Sequence, residues 1–218
     1  MTGSVDGAGS GPSDDTGSTA TNGRPAAGGT AGSAGQEPGT EQAPGITVDR
    51  VGPGGGLASD SAFGVALVTL WQRVAEAGGA VGFPPPVVRS EVAARAAGLV
   101  DGLRTGRMVA VAANRARRLI GVGFLRPGQG TGPHTGRIEL LLVDPAHTGA
   151  GLGTRLMRDL LALAVERGLQ RLDVEIADGA GLAEFFARSG FVEWGRRPGW
   201  IRLGADDDRD EVLLGATL

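Results

Sequence analysis

The chain has 218 residues, a formal net charge of −3, and no Cys, Lys or Tyr, so all 21 basic side chains are Arg. Without Cys there is no disulfide framework, thiolate nucleophile or Cys-ligated metal, and without Lys there is no Schiff base and no Walker-type phosphate lysine. Two histidines, His134 and His147, do not make a three-His site, so no metal is expected.

Residues 1–45 hold 12 Gly, 4 Pro, 5 Ser and 6 Thr, with one Arg and five acids. Such a segment buries too little apolar surface to offset chain ordering, which predicts a disordered tail. It lacks the apolar core of a secretory signal and the Arg content of a transit peptide, and a cytoplasmic protein is expected. Residues 46–218 carry 20 Arg against 19 acids and have the size of a single domain.

Within that domain, 46–51 alternates as a short strand and 52–56 (GPGGG) is a loop. Asp60 or Ser61 caps a helix running to about Ala77, with Phe63, Leu67, Leu70, Trp71 and Val74 on its apolar face. Gly78-Gly79 ends it, and 78–86 (GGAVGFPPP) is too rigid and Gly-rich for a helix. Ser90 caps a second helix that stops before Gly106. Residues 107–113 and 118–125 form a hairpin about Asn114-Arg115. After a loop over 127–136 comes 137–143 (RIELLLV), a dense apolar strand suited to the middle of a covered sheet. A glycine-rich turn leads into a helix over roughly 151–167, stopped by Gly168, then a strand over 171–176 and a short helix over 183–188. Residues 191–196 and 200–204 read as a hairpin around Arg197-Pro198-Gly199, DDDRDE as a solvated turn, and VLLGAT as a closing strand. No run of about 20 apolar residues is present to span a membrane. The Arg residues are spread and matched by acids, without the stripe that a nucleic acid would need.

The strongest local signal is the junction Val143-Asp144-Pro145-Ala146-His147-Thr148-Gly149-Ala150-Gly151-Leu152-Gly153-Thr154. Glycines let backbone N–H groups approach a ligand without a Cβ clash, and the helix that follows offers orphan N–H groups and a positive dipole end to a phosphate. An ordinary strand-to-helix turn is the competing reading. The apolar strand, Pro145, and the Gly149–Gly153 turn, with Phe185-Phe186-Ala187-Arg188-Ser189-Gly190-Phe191 further on, resemble the GNAT N-acetyltransferases over about 46–218. The stretch 71–87 (WQRVAEAGGAVGFPPPV) is also similar to tabtoxin-resistance-type small-molecule acetyltransferases.

The resemblance implies an α/β fold with a mixed, largely antiparallel central sheet flanked by helices. It implies acetyl transfer from acetyl-CoA to the primary amine of a small molecule by direct attack. The backbone of Leu141, Leu142 and Val143 would hold the pantetheine arm. Thr148, Gly149, Ala150, Gly151, Leu152, Gly153 and Thr154 would hold the pyrophosphate. Four positions depart from the family pattern, one being Gly179 where an Asn is often found. Thr148 stands where Arg or Gln is usual and Ala150 where Arg is frequent. Phe186 stands where a Tyr often protonates the departing thiolate, although a thiolate with a reference pKa of about 8.5 leaves without strong acid help.

For the general base, Glu139 is the first candidate, on the strand face expected to carry Leu141 and Val143; Glu175 on the next strand is the second. Each has a competing reading as a carboxylate paired with Arg. His134 and His147 have bland readings as a solvated loop residue and a shaper of the glycine turn. A non-catalytic acyl-CoA-binding module and a protein or peptide N-acetyltransferase are the alternatives, and a homodimer is left open.

Overall fold

A computed structural model describes residues 45–54, 61–179 and 181–218. Residues 1–44 of the tail expected over 1–45, the end of the GPGGG loop and the Asp60 cap lie outside the described residues. The elements are β1 (Ile46–Val51), α1 (Ser61–Glu76), α2 (Arg89–Arg104), β2 (Val109–Arg115), β3 (Arg118–Pro127), β4 (Thr135–Val143), a 3-10 turn (Pro145–His147), α3 (Leu152–Glu166), β5 (Arg171–Ala177), α4 (Leu182–Ala187), β6 (Val192–Gly204) and β7 (Asp207–Thr217). The seven strands form one sheet in the order β1-β2-β3-β4-β5-β7-β6. Every neighbouring pair is antiparallel except β4–β5. A parallel pair needs a crossover, and α3 supplies it.

Strands β2 and β3 are covered on both faces, which is why they read as nearly continuous apolar runs. Val109, Val111 and Ile120 join Leu156, Met157 and Leu160 of α3 in one core. Ala110, Ala112, Val122 and Phe124 join Leu67, Leu70 and Trp71 of α1 and Leu99 and Leu103 of α2 in the other. Close approach of α3 depends on two glycines of β3. A Cβ on Gly121 would stand 2.8 Å from Leu156 Cδ1, and one on Gly123 would stand 2.5 Å from Leu160 Cδ1.

Three local expectations change. Helix α2 starts at Arg89, and its N-cap is Val88, with no side-chain cap bond, so Ser90 lies inside the first turn. The stretch 191–204 is not a hairpin. It is the single strand β6, which pairs with β7 through several register shifts. The acidic run DDDRDE is only briefly a turn. From Asp207 it is strand, because Arg202 grips Asp208 with two bonds (2.6 and 2.7 Å), Arg209 grips Asp207, and Arg197 grips Glu211. Neutralised pairs make an acidic sequence compatible with a ladder.

Two features of β4 position the site. The first is a bulge: Leu125 pairs with Ile138 and Phe124 with Leu140, leaving Glu139 as the extra residue. Ile138 therefore packs on the α3 side, while Leu140 and Leu142 pack on the α1–α2 side. The second is the divergence of β4 from β5. They pair only from Thr135 to Arg137 against Arg171 to Asp173. Beyond that point the edge of β4 is unpaired on its β5 side.

Candidate active site

The divergence of β4 and β5 opens a cleft of about 1000 Å³. One wall is β4 from Ile138 to Leu141 with Val143, and the other is β5 from Val174 to Ala177. Thr148, Gly149, Gly151, Gly153 and Thr154 also line it, as do Phe185, Phe186 and Arg188. On the α1–α2 side it is bounded by Trp71, Val81, Phe83 and Pro84. Trp71 Nε1 donates to Val81 O at 2.9 Å, and its ring meets Phe83 edge-on at 5.4 Å. These contacts hold the loop between α1 and α2 as a fixed wall.

The glycine turn forms because each glycine has a geometric task. Gly149 and Gly151 sit at φ +76° and +78°, and Gly151 is the left-handed N-cap of α3. An L side chain is disfavoured there. Gly153 brings the first turn close to Phe185, 3.4 Å from the position of its absent Cβ. Upstream, Asp144 anchors the chain leaving β4. It is 3 % exposed, accepts from Ala146 N–H at 3.1 Å, and meets Arg73 at 2.8 Å and Arg118 at 3.3 Å. The first amides of α3 thus end at the cleft with no intrahelical acceptor.

Of the residues expected to hold the acyl donor, Leu141 and Val143 line the cleft, as do Thr148, Gly149, Gly151, Gly153 and Thr154. The Leu142 side chain is fully buried in the α1–α2 core and that of Leu152 in the α3 core, so only their backbones are available. Ala150 is exposed on the turn.

Both candidate bases line the cleft, yet each is held by arginines. The bulge overturns the expectation that Glu139 shares a face with Leu141 and Val143. Those two pack toward α3. The Glu139 carboxylate is instead gripped by Arg126 and lies 3.8 Å from Arg95 of α2. Glu175 Oε1 lies 3.0 Å from Arg137 and 3.1 Å from Arg197. Arg137 also grips Asp173. Burial works against the charge of Arg137, and Asp173 and Glu175 outweigh it, so its pKa is held above the usual value.

A third carboxylate, Glu211 of β7, also lines the cleft. It is paired with Arg197, and its side chain is 12 % exposed. Burial, reinforced by the charge of Glu175, pushes its pKa up against the pull of Arg197 and Arg137. Sequence reasoning missed it inside an acidic run taken for a turn. The available signal was the alternation of Glu211 with Val212 and Leu214, which continues the strand backward.

Phe186 is 3 % exposed and packs edge-on against Phe185 and Phe191, with ring centroids 5.3 and 5.4 Å away. His134 serves through its backbone carbonyl, which accepts from Gln170 and Arg171. Among the described residues no cluster of His, Cys, Asp or Glu could hold a metal ion, and no helix is long and apolar enough to cross a membrane.

A family model for the acetyltransferase (GNAT) family matches residues 83–191. That span runs from the cleft wall through β4, the glycine turn and α3 to Phe191, just beyond the Phe185-Phe186 helix. The chain belongs to this family. No curated protein matches it. Among solved structures it is similar to a protein described as a phosphinothricin N-acetyltransferase, at TM-score 0.64 and 19 % identity over 79 % of this chain and 98 % of that one. It is similar to the ribosomal-protein-S18-alanine N-acetyltransferase of Escherichia coli, at TM-score 0.59 and 16 % identity over 79 % and 93 %. It is also similar to a protein of Salmonella typhimurium described as an acetyltransferase and solved with its cofactor acetyl-CoA, at TM-score 0.62 and 17 % identity over 79 % and 94 %. At these identities the likeness establishes the fold.

Proposed function

We propose that the chain transfers the acetyl group of acetyl-CoA to the primary amine of a small molecule by direct attack. The observation that carries the reading is the separation of β4 from β5 beyond Arg137 and Asp173, with the N-terminus of α3 opening on the same cleft. An extended amide chain can add to the free edge of β4 as a strand would. The pyrophosphate then meets the amides after Gly151 and the positive end of the α3 dipole. Ile138, Leu141, Val143, Val174 and Ile176 supply apolar walls for the thioester. The protein's part is positioning, exclusion of water and stabilisation of developing charge, which asks for no covalent nucleophile.

A small acceptor is favoured over a peptide by the walls. The loop from Val81 to Pro84 on one side and Ile201 to Leu203 of β6 on the other border the cleft. The stretch over 71–87, similar to tabtoxin-resistance-type enzymes, lies on that wall. Competition between a panel of small amines and N-terminal or Lys-containing peptides for one acetyl-CoA pool tests this. Preferential acetylation of a small amine is expected, and preferential acetylation of a peptide would reverse the assignment.

Phe186 supports a second reading, a non-catalytic acyl-CoA-binding module, because a buried phenyl ring cannot donate a proton to the thiolate. Acetyl-CoA binding without turnover of any amine would favour it.

A further inference from the structure

The α1–α2 face of β5, β6 and β7 carries charges that do not balance. Glu175 on β5 and Glu211 on β7 lie on one face, since Glu175 pairs with Leu213 and Ala177 with Glu211 in the antiparallel register. Arg197 of β6 lies directly opposite Glu211. Arg137 of β4 reaches both Asp173 and Glu175, and Arg197 reaches both Glu175 and Glu211. Three carboxylates thus share two guanidiniums. Of the other charged groups along the cleft, Glu139 faces Arg126 and Arg95, Arg202 is gripped by Asp208, and the exposed Arg188 of the turn after α4 has no acidic partner among the described residues and makes no ion pair with the cluster. Helix α1 contributes only Trp71 and Val74 to this lining.

Glu211 is the member of the cluster that lines the cleft with a single arginine partner, where Glu175 has two and Asp173 does not line it. Its Oε2 is buried against Arg197. Among the described residues Arg197 is its sole ion-pair partner, and the residue lines the cleft. A carboxylate in a part-buried cluster that lacks one positive charge is completed by a cation or by a proton. An alkylammonium supplies both.

We propose that Glu211 binds the acceptor as its ammonium ion and takes the proton that must leave before the nitrogen can attack, with Glu175 and Arg197 as positioning residues. The inference rests on the proposed acetyl transfer. Glu211 removes one proton from the ammonium. The neutral nitrogen forms its bond to the thioester carbonyl carbon, the C–S bond breaks, and the second N–H proton leaves with the sulfur as thiol. The proton on Glu211 returns to water. The buried position of Glu211 and its neighbour Glu175 raise its basicity in the direction this task needs.

The test is the pH–rate profile of full-length wild type and Glu211→Gln, with acetyl-CoA binding and melting temperature measured alongside to show that fold and donor site are intact. In wild type, kcat/KM for an accepted alkylamine rises as Glu211 deprotonates. In Glu211→Gln that limb is lost. The neutral-pH rate falls by about 10²- to 10⁴-fold, and the deficit narrows as pH approaches the pKa of the free amine. Glu211→Asp, which keeps the carboxylate, recovers part of the rate. A Gln variant with an unchanged limb and a rate within a few-fold of wild type overturns the role of Glu211 while leaving acetyl transfer standing. A wild-type chain that binds acetyl-CoA and acetylates no amine overturns the proposed activity, and the role of Glu211 with it.

Discussion

Gly151 concentrates the geometry of the proposed donor site in one torsion. Its φ of +78° aims the chain into α3, and the space around its absent Cβ is empty to 4 Å. Substitution therefore meets strain and not a neighbour. Gly151→Ala costs about 1–2 kcal/mol, a drop of roughly 2–8 °C in melting temperature for a domain of this size. A methyl group over the first amides of α3 also weakens acetyl-CoA binding, by an expected tenfold or more in a calorimetric titration; unchanged affinity would remove the turn from the donor site. These glycines were legible in the sequence because a turn feeding a helix N-terminus has few other ways to be spelled. The carboxylates were legible only as residue types. Glu139 was placed by strict alternation, and the bulge that re-aims it has no signature in RIELLLV, since it is a pairing event between β3 and β4. Glu211 was hidden because its acidic run needs Arg197, Arg202 and Arg209 to become a strand, and those pairings are made across the sheet.

At the scale of elements, α3 is seated on the sheet by complementary shape. Leu156 and Leu160, one turn apart, enter the spaces over Gly121 and Gly123 of β3. Gly123→Val drives a branched side chain into Leu160 and is expected to destabilise by about 1–3 kcal/mol. The measurement is denaturant unfolding, and a neutral result would mean that α3 sits further from β3 than described. The β6–β7 hairpin is held differently, by exposed ion pairs. Hydrogen bonds from Arg196, Arg209 and Arg202 hold Asp178, Asp207 and Asp208 below the usual carboxylate range. A depressed carboxylate contributes stability that is present above its unfolded pKa, about 3.9, and lost as pH falls through the folded value. Hydrogen-exchange protection in β6 and β7 is therefore expected to hold down to about pH 4 and to fall as the pH drops further, while the apolar pair β2–β3 is spared. Equal losses in both would contradict this. The long helices and central strands could be read from periodicity. The hairpin could not, because Arg-Pro-Gly looks like a turn until β7 pairs along it.

Across the whole molecule, the parallel pairing of β4 with β5 stops after three residues, and that interruption turns a covered sheet into one with an open seam. The glycine turn lies along this seam, and the carboxylates on Arg137 and Arg197 lie on β5, which flanks it, and on the neighbouring β7. The sequence order of elements already implied the fold, because the apolar strand, glycine turn and Phe-Phe helix come at family spacing. The seam itself depends on strand divergence, which hydrophobic pattern does not encode. The central claim is that this seam carries acetyl transfer to an amine. The direct measurement is release of free thiol from acetyl-CoA with and without an amine panel, read with a disulfide reagent. The chain has no Cys of its own to react. Amine-dependent thiol release that saturates in both substrates is the predicted result. Tight binding of acetyl-CoA with no amine-dependent thiol release would contradict it.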